Sequence, residues 1–274
     1  MPHGYRPYVY AFLLATGLAA GAPGHAASQA GTVVLAVGTV TDLAADGSRR
    51  ALHDGDSIYA GDSLGTGDGS YADLDFEDGG RILLRPGTQF QIEGYQYAAA
   101  AHATAGTAAT APVPETHESA FFRLIKGGLR AISGLIGHQT RADYRLDTPV
   151  ATIGIRGTEY EVRYCGTDCA EAADNGGPSH DGLYAGVDRG AIAVSNQAGE
   201  TITTAGRFLY VRDAHAAITV LPGRPPALRH MRLPERYQKL EQARLKHIDS
   251  RRLEERRRLR QQLRLRAHRV GGGA

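Results

Sequence analysis

The sequence predicts an all-β protein whose short strands form a roll, a solenoid-like stack or a sandwich, followed by a basic C-terminal α-helix. Segments such as Tyr71–Glu77 alternate apolar and polar side chains with a period of two, which is typical of strands that bury one face. The chain contains 35 glycines, and Asp-Gly and Gly-Asp pairs recur between residues 54 and 80, which indicates many tight turns. After Pro222 the composition changes to good helix formers.

The charges of the chain are unevenly distributed. The 274 residues carry a net charge of +2, but residues 27–223 hold 14 basic and 24 acidic side chains, whereas residues 224–269 hold 16 basic and 5 acidic ones. The body is therefore acidic and the tail is basic. Such a tail either folds back onto the body or contacts an anionic partner. The length suits one β domain of about 200 residues with extensions.

The N-terminus has the features of a secretory signal. A single basic residue, Arg6, precedes an apolar run at residues 8–20, and small residues surround His25. We expect cleavage after Ala26, which removes residues 1–26, with Ala30 as a second choice and an uncleaved anchor as a further alternative. The apolar run is short and interrupted by glycine, so it is a poor membrane span. The protein is accordingly expected in the periplasm or cell envelope of a Gram-negative-type bacterium.

The two cysteines are Cys165 and Cys169. In an oxidising compartment, a local disulfide between them is the expected state. It closes a small loop, so it would mainly fix the lip of a hairpin. The alternative is a metal site with Asp168 and His180 as further ligands, but no second pair of Cys or His residues has finger-like spacing. We therefore predict neither a metal nor a cofactor.

In chain order, residues 31–40 are rich in β-branched side chains and predict a first strand. Gly55-Asp56 and Gly61-Asp62 lie six residues apart and predict two matching corners, in which each aspartate accepts hydrogen bonds from backbone N–H groups of its turn. Calcium binding is the alternative, but the EF-hand spacing and its closing glutamate are missing. The acids that would supply its ligands are Asp54, Asp56, Asp62, Asp68, Asp73 and Asp75.

A hairpin is predicted next. Tyr71–Glu77 directs its apolar side chains inward, Asp78-Gly79-Gly80 forms the turn, and residues 81–85 return. Two carboxylates could suggest glycoside hydrolysis. However, the alternation places Asp75 and Glu77 on the solvent face and Asp78 in the turn, so we predict no catalytic pair there.

Residues 98–117 form a segment of low complexity, rich in Ala, Thr and Pro, which is expected to be a surface loop inserted in the domain. At residues 121–134 the helix and strand interpretations compete. The Gly127-Gly128 pair and the following glycines favour a strand.

The most unusual local pattern lies at residues 144–164. Pro149 cannot donate to a strand ladder, so one strand is predicted to end at Asp147 and another to begin near Val150. Between residues 159 and 164, apolar and charged side chains alternate, which predicts a half-buried strand.

Gly154 and Gly157 flank Ile155-Arg156, which predicts a bulge or a close backbone approach. Arg156 either contacts an anionic ligand or satisfies carboxylates and carbonyls where two strands meet. The second role is favoured, because no glycine-rich phosphate cradle leads into a helix here.

The rest of the domain is predicted as hairpins. Residues 171–181 are polar and glycine-rich, as at a hairpin tip. Strands follow at residues 183–187 and 191–194 around Asp188-Arg189-Gly190, then comes a hairpin at 198–200, and a closing strand covers residues 206–211.

Residues 222–232 predict a proline-bounded linker, and residues 233–270 predict a helix that begins near Pro234. Its thin apolar stripe consists of Leu233, Tyr237, Leu240 and Ile248. The helix either packs lightly on the acidic body or contacts a partner protein or an anionic surface such as phosphorylated envelope lipid. The arginines placed for such a contact are Arg256, Arg257, Arg258, Arg260 and Arg264. Nucleic acid fits the charge but not the compartment.

Several stretches resemble the FecR domain, which is named after a periplasmic regulator of iron-citrate uptake. Residues 148–160, TPVATIGIRGTEY, resemble the hallmark of that family, and residues 53–67, 75–92 and 206–211 agree with it. The hallmark positions are Thr148, Pro149, Gly154, Arg156, Gly157 and Thr158. The resemblance covers residues 31–213, which we expect to form the FecR-like domain.

The founding member relays a signal from an outer-membrane receptor to a sigma factor through a membrane span and a cytoplasmic helical domain. The sequence shows neither part, so we expect a stand-alone module.

No constellation of side chains supports an enzyme. No serine lies on a strand–helix elbow, and the histidines are scattered. The expected function is that of a non-catalytic sensory or protein-interaction module of the cell envelope, with recognition at exposed strand edges or at the tip between Cys165 and Asp181. The alternative is a structural envelope protein that its basic helix tethers to anionic lipid or cell wall.

Overall fold

The computed structural model describes residues 28–98, 117–139, 141–155, 157–166, 169, 180–228, 235–240 and 242–244. In its first half the strands are β1 (Gln29–Val37), β2 (Val40–Leu43), β3 (Arg49–Ala51), β4 (Ser57–Tyr59), β5 (Ser63–Thr66), β6 (Tyr71–Phe76), β7 (Arg81–Leu84), β8 (Gln89–Gln96) and β9 (Ser119–Ile132). The later strands are β10 (Tyr144–Asp147), β11 (Thr152–Ile155), β12 (Glu159–Cys165), β13 (Gly182–Arg189), β14 (Ala191–Asn196), β15 (Gly199–Thr204), β16 (Phe208–Val211) and β17 (Thr219–Leu221).

Short helices are few among the described residues: α1 (Ile136–Gln139) and the 3-10 turns η1 (Arg141–Asp143) and η2 (Pro226–Leu228). Residues 235–240 and 242–244 are also α-helical and are called the tail helix below. The predicted fold class, mostly β with a basic C-terminal helix, is therefore confirmed.

The strands form two open layers that share β9. Sheet A has the order β4-β1-β6-β7-β9-β12-β13-β16-β17. Sheet B has the order β3-β2-β5-β8-β9-β10-β11-β14-β15. All these pairings are antiparallel except that of β9 with β10. The arrangement is thus the sandwich-like alternative of the prediction.

The long strand β9 joins the two sheets at its two glycines. Its first half pairs with β8 and β10 in sheet B, and its second half pairs with β7 and β12 in sheet A. Gly127 has φ +82°, and a Cβ there would lie 2.6 Å from the Cα of Thr88. A Cβ on Gly128 would lie 2.8 Å from the carbonyl oxygen of Val162. Only glycines fit this bend, so the strand interpretation of residues 121–134 is confirmed and its glycine pair explained.

One hydrophobic core fills the space between the sheets. The Phe76 ring from sheet A lies 5.1 Å from the Phe122 ring and 5.5 Å from the Tyr95 ring, both of sheet B, measured between centroids. The Tyr144 and Tyr160 hydroxyls, both buried, are hydrogen-bonded at 2.8 Å. Each fully buried large apolar side chain contributes about 1.5–3 kcal/mol, so this core is the main source of stability.

The two Gly-Asp pairs form the same corner twice, as predicted. Gly55 has φ +93° and Gly61 has φ +94°. The Asp56 carboxylate accepts a hydrogen bond from the His53 N–H at 2.7 Å, and the Asp62 carboxylate accepts one from the Tyr59 N–H at 2.8 Å. Each aspartate therefore caps the backbone of its own turn.

Two details of the prediction were wrong. The first strand ends at Val37 rather than Val40, because Gly38 adopts φ +75° and turns the chain from sheet A to sheet B.

The strands that flank Asp188-Arg189-Gly190 do not pair with each other, since β13 pairs with β12 and β16 whereas β14 pairs with β11 and β15. The segment is thus a corner between the layers. Alternation alone cannot distinguish a corner from a hairpin, because both need a glycine turn between two strands.

Candidate interaction surfaces

The family-motif residues build a turn and a close packing contact. Thr148 closes the turn after β10, because its hydroxyl donates to the Ala151 carbonyl at 2.7 Å and accepts from the Ala151 N–H at 3.1 Å. This agrees with the predicted strand boundary at Pro149. Thr158 is buried, and its hydroxyl donates to the Ala191 carbonyl at 2.7 Å. These hydrogen bonds fasten the segment to the neighbouring strands.

Of the two glycines predicted to need special backbone, only Gly157 does. It has φ +62°, and a Cβ there would lie 2.6 Å from His138 Nδ1. Gly154 lies within β11, where a Cβ would meet nothing within 4 Å, so the close approach predicted for this segment lies at Gly157. Arg156, whose role was left open between an anionic ligand and structural contacts, lies outside the described residues.

Asp78 is a structural residue rather than part of a catalytic pair. Its carboxylate accepts hydrogen bonds from the Gly80 N–H at 3.0 Å, the Tyr95 hydroxyl at 3.1 Å and the Ile136 N–H at 3.2 Å. Burial raises the pKa of the Tyr95 hydroxyl, and the Asp78 carboxylate adds to the shift. The arrangement fastens the β6–β7 turn to β8 and α1.

Cys165 and Cys169 form the predicted disulfide, with their Cα atoms 5.3 Å apart. Both are fully buried in a small cluster with Tyr184 and with Ala227 and Leu228 of η2. The bridge therefore forms part of the surface on which the segment after β17 packs. Residues 167, 168 and 170–179, which make up most of the predicted tip, lie outside the described residues.

The segment predicted as a linker at residues 222–232 lies, as far as residue 228, across the outer face of sheet A. Arg224 forms an ion pair with Glu161 and donates to the Leu228 carbonyl at 3.0 Å. Its guanidinium carbon lies 4.9 Å from the centroid of the Phe208 ring. Glu161 is only 3% exposed and also pairs with Arg85 at 2.7 Å. The outward face of β12, expected to be half-solvated, is covered at this position.

Charged side chains continue across this face as one network. Arg224 lies 3.4 Å from Asp188, and Asp188 lies 3.3 Å from Arg130. Arg130 in turn pairs with Glu159 at 2.5 Å. Burial lowers the pKa of Arg85, although Glu161 opposes the shift. Such a network mainly fixes the register of strands and covering segment, since desolvation offsets much of its attraction.

The tail helix covers another part of sheet A. Tyr237 is 5% exposed and packs against Leu35, Tyr71 and Leu83. Arg244 contacts two carboxylates, with Nη1 2.7 Å from Asp73 and Nη2 3.0 Å from Asp75. Three tail arginines, namely Arg224, Arg236 and Arg244, thus contact acidic side chains of the body. These contacts support the predicted alternative in which the tail folds back.

Asp73, which lies beneath the tail helix, has a shifted pKa. Its side chain is 1% exposed. Burial raises the pKa of the Asp73 carboxyl to about 6, although Arg244 and Arg81 oppose the shift. The charged form is therefore tolerated at neutral pH but is not favoured by its surroundings.

The outer face of sheet B, in contrast, holds an open groove of about 640 Å³. Small residues line much of it, namely Thr41, Ala51, Ser63 and Gly65. Leu43 and Ile125 form its apolar walls and are 37% and 41% exposed. Arg49 lies at its rim on β3, the edge strand of the sheet. We call this feature the sheet B groove.

A pair of buried acids lies beside the groove, and one of them, Asp42, lines it. Asp42 and Asp62 are 1% and 2% exposed, and Arg50 Nε lies 2.9 Å from Asp42 Oδ2. Burial raises the pKa of the Asp62 carboxyl to about 6, and the Asp42 carboxylate adds to the shift. Burial also raises the pKa of Asp42, although Arg50 opposes the shift. The pair anchors Arg50 beneath β3 and so stiffens the rim of the groove.

The remaining predictions concern metal binding, membrane spans and segments outside the described residues. Within the described ranges, no group of three or more His, Cys, Asp or Glu side chains is arranged to hold a metal ion. In the same part of the chain, no helix has both the length and the apolar character needed to cross a membrane. The predicted signal at residues 1–26, most of the insert at residues 98–117 and the arginines from Arg256 to Arg264 lie outside the described residues.

The sequence interpretation did not identify the groove or the burial of Glu161 and Asp42. A signal for the groove was present, because alternation from Phe122 and Leu124 places Ile125 on the outer face of its strand. An apolar side chain at an outward position is a sign of a contact surface. The buried acids carried no such signal, since their burial depends on segments distant in sequence.

Comparison with known proteins supports the family resemblance. Residues 62–173 match the model of the family described as FecR protein, in agreement with the resemblance of the sequence to the FecR domain. Two crystal structures of a candidate anti-sigma factor from Parabacteroides distasonis ATCC 8503 are similar, at 13% identity, with TM-scores of 0.38 and 0.39. The match covers 59% of this chain, and the chain spans 59% of the length of those proteins.

A third structure, of a cell surface anchoring domain, is 26% identical over 23% of this chain and 82% of that domain, with a TM-score of 0.22. No match was found among the curated proteins. The FecR domain supports a regulatory role in signal transduction, and FecR proteins are typically associated with the cell envelope. Proteins of this kind are regulatory rather than catalytic.

Proposed function

We propose that this protein is an exported, non-catalytic FecR-domain module that binds a protein partner in the cell envelope, with the sheet B groove as its contact surface. The observation that carries the proposal is the difference between the two faces of the sandwich. Two parts of the outer face of sheet A are covered by the chain's own tail, one through Arg224 and the other through Tyr237 and Arg244. The sheet B groove has no such cover among the described residues, and its apolar walls are exposed.

The groove suits an extended segment of a partner. It is bordered by β3, whose second edge pairs with no other described strand, so backbone hydrogen bonds are available beside the apolar walls. Leu43 and Ile125 would contact apolar side chains, and Arg49 at the rim would pair with a carboxylate of the partner. An extended segment with apolar and acidic side chains is therefore the partner chemistry that fits.

The predicted recognition at strand edges is part of this proposal through β3. Export of the chain, expected from residues 1–26, is also part of it and is tested by fractionation of cells that express the full-length chain. The alternative, a tether to anionic lipid or cell wall, is less well supported, because the described tail arginines contact carboxylates of the body.

The experiment is photo-cross-linking in intact cells that make the full-length chain. A photoreactive amino acid replaces Leu43 or Ile125 in the groove. Ile202 is the matched control, because it is also apolar, is 57% exposed and lies on β15 at the opposite edge of sheet B. We expect one shared adduct from the two groove positions and not from position 202. Equal adducts at all three positions, or none at the groove positions, would overturn the groove as the contact surface.

A further inference from the structure

The part of sheet A beneath the tail helix has the shape and charge of a site for a basic helix. Leu35, Tyr71 and Leu83 form an apolar cluster that receives the Tyr237 ring. Asp73 and Asp75 lie beside it and are contacted by Arg244 at 2.7 Å and 3.0 Å. Tyr237 and Arg244 are seven residues apart, which is two helical turns, so both side chains project from one face of a helix.

The fit of charges extends beyond these two contacts. Arg236, which directly precedes Tyr237 in the tail helix, lies 2.7 Å from Asp54. The site is therefore acidic at both ends of an apolar centre. Residues 27–223, which provide it, contain 24 acidic and 14 basic side chains, whereas residues 224–269 contain 16 basic and 5 acidic ones.

The least exposed contacts of the tail helix come from Tyr237 and from Arg244, whose side chain is 17% exposed. Among the described residues of the tail helix, Tyr237 is the one buried side chain, and Leu240 is partly buried. The Arg236–Asp54 pair is 62% and 44% exposed, and such exposed ion pairs contribute little. A short helix is marginally stable by itself in water, so docking must also order it. Docking of the tail helix therefore depends mainly on Tyr237 and Arg244.

We propose that the surface formed by Leu35, Tyr71, Leu83, Asp73 and Asp75 is a binding site for a basic amphipathic helix of a protein partner. In this structure the tail helix occupies it as a displaceable internal ligand. The proposal concerns the opposite face from the sheet B groove and does not depend on it. The matching partner helix carries an aromatic side chain and, seven residues later, an arginine. Because the internal ligand is tethered, its effective concentration is on the order of millimolar, so a partner competes by making additional contacts.

The test uses the full-length chain and a fluorescent peptide with the sequence of residues 233–248. Binding is measured by anisotropy for the wild-type chain and for a chain with Tyr237→Ser and Arg244→Glu, in which the internal helix is released. We expect the released chain to bind the peptide at least tenfold more tightly than the wild-type chain. A peptide that carries the same two substitutions should not bind.

Two further variants of the released chain locate the site. Asp73→Asn together with Asp75→Asn should weaken peptide binding at least tenfold. Glu159→Gln is the matched control, because Glu159 lies on the same face of sheet A but three strands away, on β12. Circular dichroism melting confirms that each variant is folded. A folded released chain that binds no better than the wild type, or equal losses from the Asp73/Asp75 and Glu159 variants, would overturn the proposal.

Discussion

Substitution of Asp73 by asparagine tests how burial of a charged group shapes the stability of this fold. The Asp73 side chain is 1% exposed, and burial raises the pKa of its carboxyl from 3.8 to about 6. A difference of about two pKa units corresponds to about 3 kcal/mol of unfolding free energy at 1.36 kcal/mol per unit. Because the pKa is higher in the folded protein, this stability is fully present below the unfolded pKa of 3.8 and is lost as the pH rises through about 6.

Asp73→Asn should therefore stabilise the protein by about 1–3 kcal/mol at about pH 7.5 and change its stability by about 0.5 kcal/mol or less at about pH 4. The amide also keeps an oxygen that accepts from Arg244. Urea denaturation followed by circular dichroism at both pH values measures the effect. Asp75→Asn is the control, because Asp75 contacts the same arginine but is 41% exposed, and it should change stability by less than about 1 kcal/mol at either pH. An Asp73→Asn variant less stable than the wild type at about pH 7.5 would refute the reasoning.

Two other substitutions test single features of the fold. Glu161→Ala removes the carboxylate that pairs with buried Arg85 and partly buried Arg224, and it should destabilise the protein by about 3 kcal/mol in urea denaturation. A loss below about 1 kcal/mol would show that the network on sheet A is not coupled to folding. Gly127→Ala places a Cβ within 2.6 Å of a backbone atom at φ +82°, and it should lower stability by at least about 2 kcal/mol. Gly154→Ala, where a Cβ meets nothing within 4 Å, should cost less than about 1 kcal/mol, and equal losses at the two glycines would contradict the bend in β9.

Local patterns predicted those strands of the sandwich that bury an apolar face. Tyr71–Phe76 shows this directly, since Ala72, Leu74 and Phe76 enter the core as the alternation requires. The Gly-Asp corners were also predictable, because an aspartate that caps its own turn uses only neighbouring backbone groups. Both features depend on residues that are close to one another in the sequence, so a local pattern is enough to predict them.

The partition of the strands between two sheets was not predictable in the same way. Asp188-Arg189-Gly190 resembles a hairpin turn, yet it carries the chain from sheet A to sheet B. The difference depends on which distant strand is available to pair, and no local pattern contains that information. Likewise, the alternation in β12 predicts an outward Glu161, and only the later placement of Arg224 buries it.

The charge asymmetry between body and tail gave an early sign of the contacts on sheet A, but not of their positions. The sequence alone did not connect Tyr237 with Leu35 or Leu83, because more than 150 residues separate them. For the sheet B groove, the outward Ile125 was a usable sign, whereas the opposing wall at Leu43 depends on how β2 and β5 are placed beside β8.

The central claim, that the protein acts through the sheet B groove, is tested most directly by titrating the cross-linked partner, once purified, against full-length variants. Leu43→Asp with Ile125→Asp places charges in the apolar walls and removes contacts worth about 1 kcal/mol each or more, so affinity should fall at least 30-fold. Ile202→Asp, at the far edge of the same sheet, should leave the affinity within about twofold of the wild type. Unchanged affinity in the groove variant, while it remains folded, would contradict the account.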